Sequence, residues 1–351
     1  MLIADRYKGH GDSLAGGMGT IWLCRDVVLE RSVAIKVMPG NVDQRRMRDE
    51  LGALLRMRSK HVVQVYDVLR TSAGALAIVE EYVDGKDLLD EANAPKSARD
   101  FLKTIWQIAS GIAEIHSLDV IHRDIKPNNI QIDREGVVKI FDFGLARDEG
   151  PEAETVGFVG THGFAAPELY AQRAKFTAAV DTYAFGATAL FVARRELPAE
   201  MGQRPPVCSI SNHFAALPFD LADEVAVILN SCLKHSAADR PPMKEVRDTL
   251  AKYLLRDRHK ALVVFEGNAS YLDANRRSVR LRLPSMGEVT ITYDGLGFRV
   301  ESVSGDVFAN NRRIAVGDEL PGACVVALGA PEQGNRRRYI TFDLSHPEIV
   351  L

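Results

Sequence analysis

Residues 122–129 read His122-Arg123-Asp124-Ile125-Lys126-Pro127-Asn128-Asn129, and eighteen residues after Asp124 the chain reads Asp142-Phe143-Gly144. Together these strings offer two carboxylates, a carboxamide and an ammonium group, and Gly144 lets the chain turn after the second carboxylate. Two unrelated loop aspartates would explain either string alone. They do not explain what lies outward on each side. Upstream, Val33-Ala34-Ile35-Lys36 reads as a strand presenting one amine, and Leu14-Ala15-Gly16-Gly17-Met18-Gly19-Thr20-Ile21 is a glycine-rich segment. Downstream, Gly160-Thr161-His162-Gly163 precedes Ala166-Pro167-Glu168. Taken singly, the glycines describe a hairpin turn and the lysine a solvated edge residue, so the weight rests on order and spacing.

With 351 residues the chain is long enough for two domains. Its 44 lysines and arginines against 47 acids leave a net charge of −3, so no chain-wide basic field points to nucleic acid or an anionic membrane. Cys24, Cys208, Cys232 and Cys324 are far apart, which argues against a disulfide framework and a zinc site. The longest apolar stretch, around Phe185–Ala193, is about half of what a membrane span needs. The N-terminus lacks a signal-peptide pattern, and a cytoplasmic location is the expectation.

Every lysine lies at or before Lys260, with ten arginines after it. Residues 20–140 mix β-rich runs (Ile21–Cys24, Ser32–Met38, Ala75–Tyr82, Val137–Phe141) with helical patterns such as Asp43–Arg58. Beyond about 165 the pattern is mostly helical, with Asp181–Ala193, Leu221–Leu233 and Lys244–Arg258 as predicted helices. From Ala261 onward, short alternating runs separated by Asp-Gly, Ser-Gly and Pro-Gly turns read as all-β.

Over roughly residues 5–255 the five motifs resemble the eukaryotic-like (Hanks-type) Ser/Thr protein kinases, in their bacterial branch. The resemblance implies a two-lobed α+β protein kinase fold over 1–258, with an N-lobe to about 82 and a C-lobe from 83. It also implies Mg²⁺-dependent transfer of the γ-phosphoryl group of ATP to protein hydroxyls, with Mn²⁺ as a substitute ion. Asp124 would accept the hydroxyl proton, Lys126 would neutralise the transferred group, and Asn129 and Asp142 would hold the metal. Lys36 would reach the α- and β-phosphates and pair with Glu50. Leu14, Ala15, Gly16, Gly17, Gly19, Ile21, Ala34, Glu81, Val83, Asp87 and Gln131 would line the nucleotide site. Glu168 would pair with Arg240, Asp181 would anchor the catalytic loop, and His122 and Phe143 would stack with Leu54 in a hydrophobic column. Lys126 and Thr161 resemble the Ser/Thr-specific members, and the Ala-Pro-Glu segment separates the chain from small-molecule phosphotransferases of related fold.

Arg123, beside the catalytic aspartate, is a ready partner for a phosphate on the activation segment. Between Asp142 and Glu168 the hydroxyl side chains are Thr155 and Thr161. With Thr161 committed to the substrate side, Thr155 is the expected autophosphorylation site. Three positions depart from the family pattern: Leu14 replaces the first loop glycine, Glu80 stands before the hinge where an apolar residue is usual, and Gln131 lies beneath the adenine. A buried Glu80 needs a partner or a proton. The competing class is a nucleotide-binding pseudokinase scaffold.

Residues 259–351 form the second expected domain. Phe298–Ser302, Phe308–Ile314, Val316-Gly317-Asp318-Glu319-Leu320 and Ala327-Leu328-Gly329 resemble the second half of a forkhead-associated (FHA) domain, a β-sandwich that reads phosphothreonine. Its phosphate-gripping string is replaced by Ser285-Met286-Gly287-Glu288. Arg276, Arg277, Arg280 and Arg282, or Arg312 and Arg313, are candidate phosphate grips. Eleven acids against ten arginines favour mixed surface charge, and the expectation is a docking or self-interaction module for a phosphoprotein or other partner.

Overall fold

Alternation along Val33-Ala34-Ile35-Lys36 decides which side of the first sheet faces which core. The computed structural model describes residues 2–16, 19–38, 51–52, 54–71, 74–143, 161–171, 177–207 and 212–345. Two units divide the chain, Met1–Thr249 and Leu250–Leu351.

The first unit opens with strands β1 (Leu2–Ile3), β2 (Tyr7–Gly16), β3 (Gly19–Asp26), β4 (Arg31–Val37), β5 (Val65–Arg70) and β6 (Leu76–Glu81). They form an antiparallel sheet in the order β1-β2-β3-β4-β6-β5. Val33 and Ile35 are buried with Tyr7, Cys24, Ala77 and Val79 on one face. Because side chains alternate along a strand, Ala34 and Lys36 point to the other face, which they share with their cross-strand partners Glu80 and Ile78. On that face Ile78 packs with Leu51, Leu54, Ile115, Val120 and Phe143.

Of the expected helix over 43–58, residues 51, 52 and 54–56 are helical and 57–59 are not. Arg58 instead folds back to donate to the Leu55 and Met57 carbonyls, satisfying acceptors left open by the helix end.

The remainder of this unit has four α-helices among the described residues: α1 (Ala98–His116), α2 (Ala178–Arg194), α3 (Asp223–Cys232) and α4 (Met243–Leu254). The last of them crosses into the second unit. Helix α1 starts where Ser97 accepts from the Asp100 amide, and it buries Phe101, Ile105, Ile108 and Ile112. Helix α2 is apolar on every side and buried nearly throughout, as its sequence demands of a central helix. A Cβ on Gly186 would come within 2.9 Å of Cys232 Cβ, so glycine allows α2 and α3 to approach. Strands β7 (Gly85–Asp87), β8 (Ile130–Asp133) and β9 (Val138–Ile140) make a small sheet that carries the loops around Asn129 and Asp142.

In the second unit β10 (Ala261–Phe265), β11 (Asn268–Leu272), β15 (Val307–Ala309), β16 (Arg312–Arg313), β17 (Cys324–Leu328) and β18 (Arg338–Leu344) pair in the order β11-β10-β18-β17-β15-β16. Strands β12 (Ser278–Leu283), β13 (Gly287–Tyr293) and β14 (Phe298–Gly305) form a second sheet. Both sheets send alternate residues into one core, including Val263, Ile291, Val300, Val326 and Ile340. Tyr293 stacks on Phe298 at 4.8 Å, and Phe342 meets Phe298 edge-on. The helix expected to reach Arg258 ends at Leu254, and Asp257 takes a left-handed φ of 55° in the turn that follows. No helix among the described residues is long and apolar enough to cross a membrane.

Candidate active site

One buried carboxylate fixes the loop that begins at His122. Asp181, in the first turn of α2, accepts from the main-chain amides of His122 at 2.7 Å and Arg123 at 2.8 Å, and His116 Nε2 lies 2.9 Å from its Oδ2. Burial opposes ionisation of Asp181, but the His116 bond and these amides outweigh it and hold its pKa below the ordinary carboxylate value. The two amide bonds also hold Arg123 in a left-handed conformation, φ 69°, which a non-glycine residue adopts only under restraint. His122 is buried with its pKa pushed down by that burial; its Nε2 faces the Phe141 carbonyl at 3.0 Å and its ring packs on Phe143.

Past that anchor, three side chains converge on Asp124, which is 4% exposed. Asn129 Nδ2 donates to the Asp124 carbonyl at 2.8 Å and to its Oδ2 at 3.0 Å. Lys126 Nζ is 2.9 Å from Oδ2 and donates to Thr161 Oγ1 at 3.0 Å, while Thr161 Oγ1 donates to Asp124 Oδ1 at 3.2 Å. Pro127 opens the short 3₁₀ turn, Pro127–Asn129, that brings Asn129 back toward Asp124. The Phe141 amide donates to the Asn129 carbonyl, tying this loop to the segment carrying Asp142.

Lys36 crosses from β4 to meet Asp142, with Nζ 2.6 Å from Oδ1. Asp142 has a left-handed φ of 61°. Glu80 shares the sheet face of Lys36, and burial pushes its pKa up to about 7, with Lys36 pulling it down and Asp142 pushing it further up. The half-buried carboxyl therefore keeps its proton up to about pH 7, where an ordinary glutamate is already charged.

Around the expected nucleotide site, Leu14, Ala15 and Gly16 of β2 pair with Ile21, Thr20 and Gly19 of β3, and Ile21 in turn pairs with Lys36. Ala34 lies opposite Glu80. Glu81 is bound to Lys139 at 2.7 Å and accepts from the Gln64 amide. Val83 is half-buried, and Gln131 sits in β8 opposite Asp87 and Lys139. Asp87 Oδ1 accepts from the Leu89 and Asp90 amides, so part of its hydrogen-bonding capacity closes a turn. Glu168 and Arg240 meet through two parallel hydrogen bonds of 2.7 and 2.8 Å. Gly17, Glu50 and Thr155, as well as Gly144 and Gly160, lie outside the described residues.

Three relationships were not anticipated from sequence: His116 on Asp181, Lys139 on Glu81, and the direct contact of Lys36 with Asp142. A lysine alternating with Val138 and Ile140 in a short strand was the available signal for Lys139. Nothing local marks His116 beyond its place in the last turn of α1.

Residues 15–250 match the family model described as the protein kinase domain. Among curated proteins, the chain is 34% identical over 258 residues to the serine/threonine-protein kinase PknA of Corynebacterium glutamicum, covering 69% of this chain and 54% of that protein. It is 35% identical over 199 residues to the serine/threonine-protein kinase PrkC of Bacillus subtilis, covering 53% and 30%. With the serine/threonine-protein kinase PknB of Mycobacterium leprae, identity is 34% over 198 residues, covering 52% and 32%. The chain spans about half or less of the length of these relatives.

Proposed function

The chain belongs to the protein kinase family, in its bacterial Hanks-type branch, and from that premise we propose that it transfers the γ-phosphoryl group of ATP to serine and threonine hydroxyls of proteins. The observation that carries this reading is the convergence of Lys126, Asn129 and Thr161 on the buried Asp124, with Lys36 on Asp142. Asp124 takes the proton as the substrate hydroxyl oxygen bonds to the γ-phosphorus, and the bond to the β–γ bridging oxygen breaks to release ADP. Lys126 offsets charge on the group in transit, and Lys36 does so on the phosphates that stay behind.

Family membership implies a divalent metal, and Mg²⁺ is the ion proposed. Both Asn129 hydrogens engage Asp124, which turns its Oδ1 away as a hard oxygen donor, and Asp142 Oδ2 is a second. Such an ion would neutralise the phosphate oxygens. Asp124, Asn129, Asp142, Lys36 and Lys126 are the residues proposed for the chemistry. Glu50, the glycine-rich segment, Ile21, Ala34, Glu81, Val83, Asp87 and Gln131 are proposed for lysine pairing and nucleotide contact. Arg123 and Thr155 are proposed as the regulatory pair. The cytoplasm is the proposed location; Cys24, Cys232 and Cys324 are free thiols, in keeping with it.

For residues 259–351 the proposal is an FHA-like sandwich that docks a protein partner. Two sheets on one core, and left-handed Asn310 and Asn311 in the turn between β15 and β16, support it. Incubating the full chain with radiolabelled ATP and mapping labelled residues tests the catalytic reading. Label on serine and threonine is expected, and absence of transfer to any protein would overturn it.

A further inference from the structure

Glu80 lies on the sheet face that carries Ala34 and Lys36, and its half-buried carboxyl makes no hydrogen bond or ion pair among the described residues. Its neighbour Glu81 behaves differently: that carboxylate takes the Lys139 ammonium and the Gln64 amide. Lys36 shares the face of Glu80, but its Nζ is 2.6 Å from Asp142 Oδ1. Burial raises the Glu80 pKa to about 7, which full hydration would not do. A carboxyl withdrawn from water and given no donor by its own chain calls for a donor from outside it.

The strand register says where that donor sits. Ile78 is the cross-strand partner of Lys36 and Glu80 that of Ala34, so Glu80 lies two residues further along β6, about 7 Å, toward Glu81 and Val83. Lys36 marks the end proposed for the phosphates, and Val83 marks the end proposed for the base. Phosphate oxygens repel a carboxylate, so the group that Glu80 takes belongs to the base end. On one side of Glu80, Val65 is packed into the core; on the other stands only the methyl of the half-buried Ala34, so the space beside the carboxyl opens over Ala34. A flat ring fits over a methyl group. At its edge adenine presents an exocyclic amine, where guanine presents a carbonyl oxygen.

We propose that Glu80 is the base-selecting residue of the nucleotide site, its carboxylate accepting from the 6-amino group of adenine and repelling the 6-oxo group of guanine or hypoxanthine. Against a 6-oxo purine the carboxylate is left unpaired beside another acceptor, which rejects that base more strongly than shape alone does. The inference rests on the nucleotide reading under the proposed function and adds a residue that chooses the base.

Calorimetric titration of the full chain with ADP and with inosine diphosphate, which carries a 6-oxo group in place of the amine, tests it. Both ligands bind without turnover, so the result does not depend on phosphoryl transfer. The titration is run with Mg²⁺ at pH 8, above the value of about 7 at which the carboxyl ionises. The wild type is expected to bind ADP about tenfold or more tighter than inosine diphosphate, the scale of a hydrogen bond to a charged group. Glu80→Leu should reduce that ratio about fivefold or more by weakening ADP. Glu80→Gln, whose amide offers a donor as well as an acceptor, should reduce it by tightening inosine diphosphate. A ratio unchanged in either folded variant, or an equal shift for both nucleotides, as a ribose contact or a packing role would give, overturns the proposal alone. Failure of the wild type to bind either nucleotide overturns it together with the nucleotide reading.

Discussion

Lys36 Nζ and Asp142 Oδ1 lie 2.6 Å apart, so a lysine of the N-terminal sheet touches an aspartate 106 residues further along the chain. The cation proposed for the phosphates and the carboxylate proposed for the metal thus occupy one point. Lys36 is 5% exposed there, so the Asp142 carboxylate supplies the counter-charge that burying an ammonium group calls for.

Replacing that cation should cost catalysis more than folding. Lys36→Met is expected to lower phosphoryl transfer by about 100-fold or more, the scale of losing one preorganised charge contact, with secondary structure retained. Steady-state kinetics with a protein substrate, beside circular dichroism, check it; transfer within a few-fold of wild type would contradict the role.

Thr161 bridges Lys126 and Asp124 through one hydroxyl. Thr161→Ser keeps the hydroxyl and should retain kcat within about threefold, whereas Thr161→Val, of the same shape, should lose about 10- to 100-fold, the size of a hydrogen bond to a charged group. Equal kcat in both variants would show that the bridge has no catalytic consequence.

Arg240 is fully buried at its side chain and bidentate to Glu168. Removing one partner of such a pair leaves the other uncompensated, so Arg240→Ala should destabilise the first unit by about 3–5 kcal/mol. Lysine cannot reproduce the fork, and Arg240→Lys should recover only part of this. Urea unfolding followed by tryptophan fluorescence measures both; a loss under about 1 kcal/mol would not fit a buried pair.

Glu80 predicts a pH dependence of stability. Its folded pKa, about 7, lies above that of an exposed glutamate, so below the unfolded value both states carry the proton and nothing is lost. As pH rises from there through about 7 the unfolded chain releases the proton first, and stability falls. Glu80→Met should flatten this component and raise the melting temperature at pH 8 more than at pH 5. Thermal melts of both proteins from pH 5 to 8 decide, and parallel curves would place the Glu80 carboxyl in water.

Much of the site was legible because the strings around Asp124 and Asp142 carry their chemistry in contiguous residues, and the glycine and apolar spacing around Lys36 set its strand. The pairing of Glu168 with Arg240 was legible only through the family resemblance, since 72 residues separate them and no local pattern links them. Helix ends were less legible. Periodicity extends the helix to Arg58, but the Arg58 side chain closes the turn beyond Arg56, and periodicity does not register capping. His116 and Lys139 were invisible because their roles depend on Asp181 and Glu81, which folding alone brings near. In the second unit the alternation of β13 announced a strand with one face in a core.

The most direct measurement is transfer of radiolabel from [γ-³²P]ATP to a protein substrate in the presence of Mg²⁺, comparing the wild-type chain with Asp124→Asn. The substitution preserves shape and removes the proton acceptor. Label on serine or threonine in the wild type, reduced about 100-fold or more in the variant, is the result expected of a catalytic base. Label no greater in the wild type than in Asp124→Asn would contradict the assignment of phosphoryl transfer to this site.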